Sequence, residues 1–173
     1  MSSLARVLPQ APHVAEFLGT NPNFELGQSI DFLAAHYGQQ EWVVEGGAAV
    51  HNLAGGGRPE PHDLDIVCRD PGMQRDFNGP NYFDIKSLAL WMGCKGLEPA
   101  PDLWQHVMDT SIPATVAGAD VRLMSPALIA AGKSFPYLGR PQRQKDILDI
   151  ELLGVKPYEP EAAKARMLGA IAL

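Results

Sequence analysis

The run from Glu41 to Asp70, EWVVEGGAAVHNLAGGGRPEPHDLDIVCRD, decides how the rest of the chain is read. It opens on three apolar residues, Trp42, Val43 and Val44, passes the pair Gly46-Gly47, and continues through Ala48 to Leu53 as one or two turns of helix. A loop full of breakers follows, with Gly55 to Gly57, Pro59 and Pro61. The second apolar run carries Asp63 and Asp65, and its Ile66 and Val67 favour an extended backbone. Alternate side chains of a strand share a face, so the two carboxylates project from the same side. Like charges about 4 Å apart repel by roughly 4 kcal/mol at an effective dielectric near 20. A divalent cation between them is the simplest arrangement that removes this cost.

The glycine pair admits two readings. At a strand-to-helix junction, consecutive glycines let a backbone come close to a phosphate, whose charge meets free N–H groups at the helix N-terminus. A tight turn needing positive φ is the plainer use. The loop is neither a P-loop nor a dinucleotide fingerprint, because no Gly-Lys-Ser/Thr follows and the glycine spacing is wrong. Arg58 is a candidate phosphate contact or an exposed loop arginine. His62 faces away from both acids on a strand and reads as orienting or structural.

Length and composition bound the possibilities. With 173 residues the chain makes one domain, and a chain of about this size buries roughly 70% of its unfolded surface. It is 46% hydrophobic and 20% charged, ordinary globular material. The net charge of −6 disfavours a broad nucleic-acid-binding surface, which draws its affinity from many cations. No apolar run approaches the roughly 18 residues of a membrane span. The N-terminal residues lack an apolar core of signal-peptide length, so a cytoplasmic protein is expected. Cys68 and Cys94 have no zinc-ligand spacing and read as small buried hydrophobes.

Outside the central run, residues 1–26 read as a partly ordered arm with at most a short helix around His13 to Leu18, and 27–173 as a single domain. Ile30, Leu33, Ala34 and Tyr37 keep helical spacing up to Gly38. Asp70 to Asn81 reads as loop. Asp84 to Lys95 reads as a helix on Ile85, Leu88, Trp91 and Met92, and Leu103 to Asp109 as a short strand or turn. Ile112 to Val116 and Val121 to Met124 form a hairpin. C-terminal helices begin at about 125. Ser125-Pro126 starts the first, with Leu128, Ile129 and Phe135 inward. Pro141 starts the second, which runs to Gly154 with Ile147, Leu148 and Leu152 inward and a Lys145/Asp149 surface pair. The last, Pro160 to Leu168, packs on the outside.

The order strand, Gly46-Gly47, short helix, loop, Asp63-Leu64-Asp65 resembles the nucleotidyltransferase superfamily. The run EGGAAVHNLAGGGRPEPHDLDIVCRD is similar to antibiotic nucleotidyltransferases of the lincosamide and aminoglycoside type. The stretch VRLMSPALIAAGKSFPYLGRPQRQKDILDIELL resembles the C-terminal helices of AbiEii-type abortive-infection toxins, through its Ser-Pro helix start, Lys133, Arg143, Lys145-Asp146 and Asp149. The two stretches cover about 41–70 and 121–153.

The resemblance implies an α/β (α+β) fold with a small mixed sheet flanked by helices. It also implies a Mg²⁺- or Mn²⁺-dependent transfer of a nucleoside monophosphate from a nucleoside triphosphate to a hydroxyl or phosphate on a small molecule, RNA or protein. Asp63 and Asp65 become metal ligands, Gly46 and Gly47 the triphosphate cradle, and Lys133 and Lys145 phosphate or substrate contacts. Such enzymes take a third acid from the neighbouring strand, and Asp109 is the first choice here, then Asp84, then Asp120. Pro59, Glu60 and Pro61 stand where relatives often carry Thr or Ser and a second basic residue, which implies reduced or altered activity. An aromatic acceptor pocket would draw on Trp91, Trp104 or Tyr137, and a basic lip on Arg140, Arg143 and Lys145. A short transferase of this kind also implies a homodimer. The competing readings are a catalytically inactive protein of the same fold acting in binding or as a toxin–antitoxin component, and an unrelated α/β domain whose strand-end acids are merely hydrogen-bonded.

Overall fold

The structure, a computed structural model, describes residues 9–134 and 141–169. Among them, β1 (Trp42–Val44), β2 (Leu64–Cys68), β3 (Phe83–Ser87), β4 (Ile112–Val116) and β5 (Ala119–Leu123) form a five-stranded mixed sheet in the order β3-β2-β1-β5-β4. The central strand β1 runs antiparallel to β2 and parallel to β5, and β2 and β3 are parallel. Every residue of β1 is buried, as its unbroken Trp-Val-Val run requires of a strand covered on both faces. The architecture is the expected mixed α/β sheet flanked by helices.

Alternation sorts β3 into two faces. Phe83 and Ile85 point to one side, where the Phe83 ring meets those of Phe17, Phe32 and Phe77, on or beside α1 (Pro12–Thr20), α2 (Leu26–His36) and α4 (Pro71–Asp76). Asp84 and Lys86 therefore point to the other side, together with their register partners Asp65 and Val67. The remaining helices are α3 (Gly46–Leu53), α5 (Leu88–Gly93), α6 (Leu103–Thr110), α7 (Pro126–Ser134), α8 (Gln144–Leu152) and α9 (Pro160–Met167). Helix α3 packs on β2, α7 and α8. No helix among the described residues is long and apolar enough to cross a membrane.

Several elements differ from expectation. The short helix expected around His13 to Leu18 forms as α1 and is longer, with Pro12 in its first turn and Val14 wholly buried. The Asp70 to Asn81 stretch contains α4, because the Asp70 carboxylate caps it by accepting from the Gly72 N–H at 2.7 Å and Pro71 supplies a fixed φ. The expected helix over Asp84 to Lys95 is a strand followed by a helix. Ile85 and Leu88 have helical spacing, but Phe83, Ile85 and Ser87 also alternate, and β2 offers a partner along all five residues. Ser87 then caps α5, its hydroxyl accepting from the Leu90 N–H.

Leu103 to Asp109 is helical, as part of α6, with Leu103, Val107 and Met108 buried. The hairpin forms, but on a tight turn at Ala117 and Gly118, both at positive φ, so β5 begins earlier, at Ala119. Helix α8 turns Asp146, Asp149 and Ile150 inward and leaves Leu148 and Leu152 at 48% and 39% exposure. Helix α9 packs against α7 with Ala163 and Met167 fully buried. Both cysteines are free thiols, Cys68 buried as expected. Phe135, Tyr137 and Arg140 lie outside the described residues.

Candidate functional site

A cleft of about 710 Å³ opens where α3, the Asp84 face of the sheet, α5, α7 and the start of α8 converge. On its sheet side stand Asp63, Asp65 and Asp84, with Glu45 at the N-terminus of α3. Asp65 and Asp84 are direct register partners on parallel strands, so neighbouring backbones hold their carboxylates side by side. Asp63 lies one residue ahead of β2 and is exposed. Burial first, then Glu45, Asp63 and Asp84, push the Asp65 carboxyl up to about 8, and Lys86 pulls the other way.

The glycine pair makes room on both sides. Gly46 sits at φ +59, and a Cβ there would overlap the Asp65 carboxylate. A Cβ on Gly47 would come within 2.8 Å of the Arg58 guanidinium. One glycine thus lets an acid approach the start of α3, and the other lets a cation do so. No side chain caps this helix, which leaves its first N–H groups directed at the cleft.

The opposite wall is basic. Lys133 at the end of α7 reaches Asp149 at 3.0 Å and Asp146 at 3.2 Å, and Arg58 donates to Asp149 at 2.7 Å. Arg143 closes the other end of the chain of charges on Asp146. Burial disfavours the Lys133 ammonium, but Glu45, Asp149 and Asp146 outweigh it and hold its pKa above the ordinary lysine value. The expected surface pair of Lys145 with Asp149 is therefore corrected. Asp149 is 3% exposed and bound by Arg58 and Lys133, which outcompete a solvated lysine on its own helix.

Lys95, at the end of α5, also lines the cleft. It is only 4% exposed and donates to the Gly132 carbonyl at 2.7 Å. Gly132 permits this packing, since a Cβ there would press on the Trp91 ring at 3.0 Å. Burial draws the Lys95 ammonium down to about 8, against the opposing fields of Glu45 and Asp146.

Asp63, Asp65, Gly46, Gly47, Arg58, Lys133 and Lys145 all line this one cleft. Asp109 does not: it is exposed on α6 and accepts from Gln105 at 2.7 Å. The choice of Asp109 assumed a strand at 103–109, and the helix there removes the premise. Asp120 is likewise elsewhere, on the hairpin beside Thr115. Asp84 takes the neighbouring-strand position. Trp91 is core and the Trp104 indole donates to the Gln40 carbonyl, so neither opens an acceptor pocket. Glu45, Lys86 and Lys95 were missed. Alternation of Phe83 and Ile85 was the available signal for Lys86, whereas nothing local marks Glu45 or Lys95.

No three of the described His, Cys, Asp and Glu side chains converge as a ready metal cage. The donor chemistry nevertheless fits a hard divalent cation, because the acids offer only oxygen ligands and their mutual repulsion is relieved by positive charge.

No protein-family model matches the chain, and no curated protein does. A solved structure similar in fold is that of an antigenic nucleotidyltransferase-like protein from Paracoccidioides brasiliensis, 18% identical, with a TM-score of 0.48 over 94% of this chain and 91% of that one. The likeness concerns the course of the chain and does not separate the lincosamide, aminoglycoside and AbiEii types.

Proposed function

We propose that the chain is a divalent-metal-dependent nucleotidyltransferase that moves a nucleoside monophosphate from a nucleoside triphosphate to a hydroxyl or phosphate of an acceptor. The observation that carries this reading is the pairing of Asp65 with Asp84 beside the uncapped N-terminus of α3, across one cleft from a basic wall. Asp63, Asp65 and Asp84 would hold Mg²⁺ or Mn²⁺, which supplies charge neutralisation at the α-phosphate and positioning of the triphosphate. The α3 N–H groups and Lys95, which line the cleft, would meet the charge of the phosphates. The acceptor oxygen would attack the α-phosphorus, the bond from it to the bridging oxygen would break with its electron pair leaving on pyrophosphate, and the proton of a hydroxyl acceptor would pass to solvent.

The test incubates the protein with Mg²⁺ or Mn²⁺ and each of four labelled nucleoside triphosphates. Metal-dependent binding of at least one, lost in D65N, is expected, and failure to bind any of them overturns the proposal. One observation favours a second reading, a catalytically inactive binding or toxin–antitoxin component. Asp84 is engaged by Lys86, Arg58 by Asp149, and Lys133 by two aspartates. Nucleotide binding with no label transferred to any acceptor in a lysate would select that reading.

A further inference from the structure

Lys86 stands two residues beyond Asp84 on β3, so its side chain shares the Asp84 face, and its Nζ lies 2.5 Å from Asp84 Oδ2. Its side chain is mostly buried at 18% exposure, beside the wholly buried Val67 on β2, and it lines the cleft. Glu45, Asp63, Asp65 and Asp84 line the sheet side of the same cleft. Lys86 is the cation that acts on Asp65 against the other three.

We propose that Lys86 is a built-in counter-cation that occupies the Asp84 carboxylate until a divalent metal displaces it. The inference rests on the metal-dependent reading above. It accounts for two observations together: the acids are gathered on one face, yet no three of them converge as a preformed cage. An ammonium on a flexible stem neutralises the acids while the cleft is metal-free. A carboxylate oxygen so engaged is not open to a metal ion, so binding must first move the ammonium aside. Metal loading then also releases a positive charge into the cleft that receives the triphosphate. The apparent metal affinity of the nucleotide-free protein is lowered by the cost of parting Lys86 from Asp84.

The test titrates the nucleotide-free full chain with Mn²⁺ alone, reading free Mn²⁺ by electron paramagnetic resonance and heat by calorimetry. K86M removes the competitor and keeps the apolar stem, and about tenfold tighter Mn²⁺ binding than wild type is expected. K86R retains the charge and stays near wild type, and D84N added to K86M abolishes the gain. Circular dichroism checks folding, and K86Q answers the same question if K86M does not fold. Mn²⁺ binding by the uncharged variants that is equal to or weaker than wild type overturns this inference and leaves the metal reading intact. No Mn²⁺ binding by wild type or by the variants overturns both.

Discussion

Gly46 is held by two constraints at once, a left-handed backbone and a carboxylate against its Cα. A non-glycine residue at such a φ costs of order 1–3 kcal/mol, and the Asp65 overlap adds to it. G46A is expected to lose about 2 kcal/mol or more in urea denaturation. G47A has no left-handed backbone to strain but presses a Cβ on the Arg58 guanidinium that Asp149 holds at 2.7 Å, so a smaller loss of about 1 kcal/mol is expected in the same assay. Comparable stabilities for the two variants would show that the backbone at Gly46 is unstrained. At this scale the sequence was most legible, because the alternation of Asp63 and Asp65 and the strand-to-helix position of the glycines are local properties. What it hid was the reason for each glycine, since Asp65 and Arg58 come from segments that meet them only after folding.

Between elements, the legibility of the chain depended on period. The Ile85 to Met92 spacing satisfied a helix and the Phe83 to Ser87 alternation satisfied a strand, and the outcome turned on β2 lying alongside, which no window of sequence contains. The misreading also ranked Asp109 ahead of Asp84, the acid that the register sets beside Asp65. Helix α8 shows the same limit. Its leucines suggested an apolar inner face, whereas Asp146 and Asp149 are the residues turned inward, because Lys133 and Arg58 await them. Removing one partner of a buried ion pair typically costs 3–5 kcal/mol, since the other charge is left without compensation. D149A is therefore expected to lower stability by about 3 kcal/mol, and K145A by less than about 0.5 kcal/mol, measured by the same denaturation. Equal effects would restore Lys145 as the partner.

For the whole molecule, the charges in the cleft shape how stability varies with pH. The Asp65 carboxyl is raised from 3.8 to about 8 in the folded protein, so between these values the folded state keeps a proton that the unfolded chain has lost. Stability from this group is highest at low pH and falls as pH rises from about 4 to about 8. Lys95 is shifted the other way, from 10.5 to about 8, so above 8 the unfolded chain binds the extra proton and stability recovers. A plot of the urea midpoint against pH is expected to fall to a minimum near 8. D65N should flatten the descending limb and K95M the ascending one, and an unchanged curve in D65N would contradict the burial of this acid. The net charge of −6 announced an acidic protein but could not say that its acids would be concentrated against a basic wall.

The contact between Arg58 and Asp149 joins positions 91 apart in the chain. During synthesis the strands bearing Asp65 and Asp84 therefore leave the ribosome well before α8 exists to hold the glycine-rich loop in place. A nascent protein stalled before Asp149 therefore carries the acids of the sheet without the partner that holds Arg58 beside them.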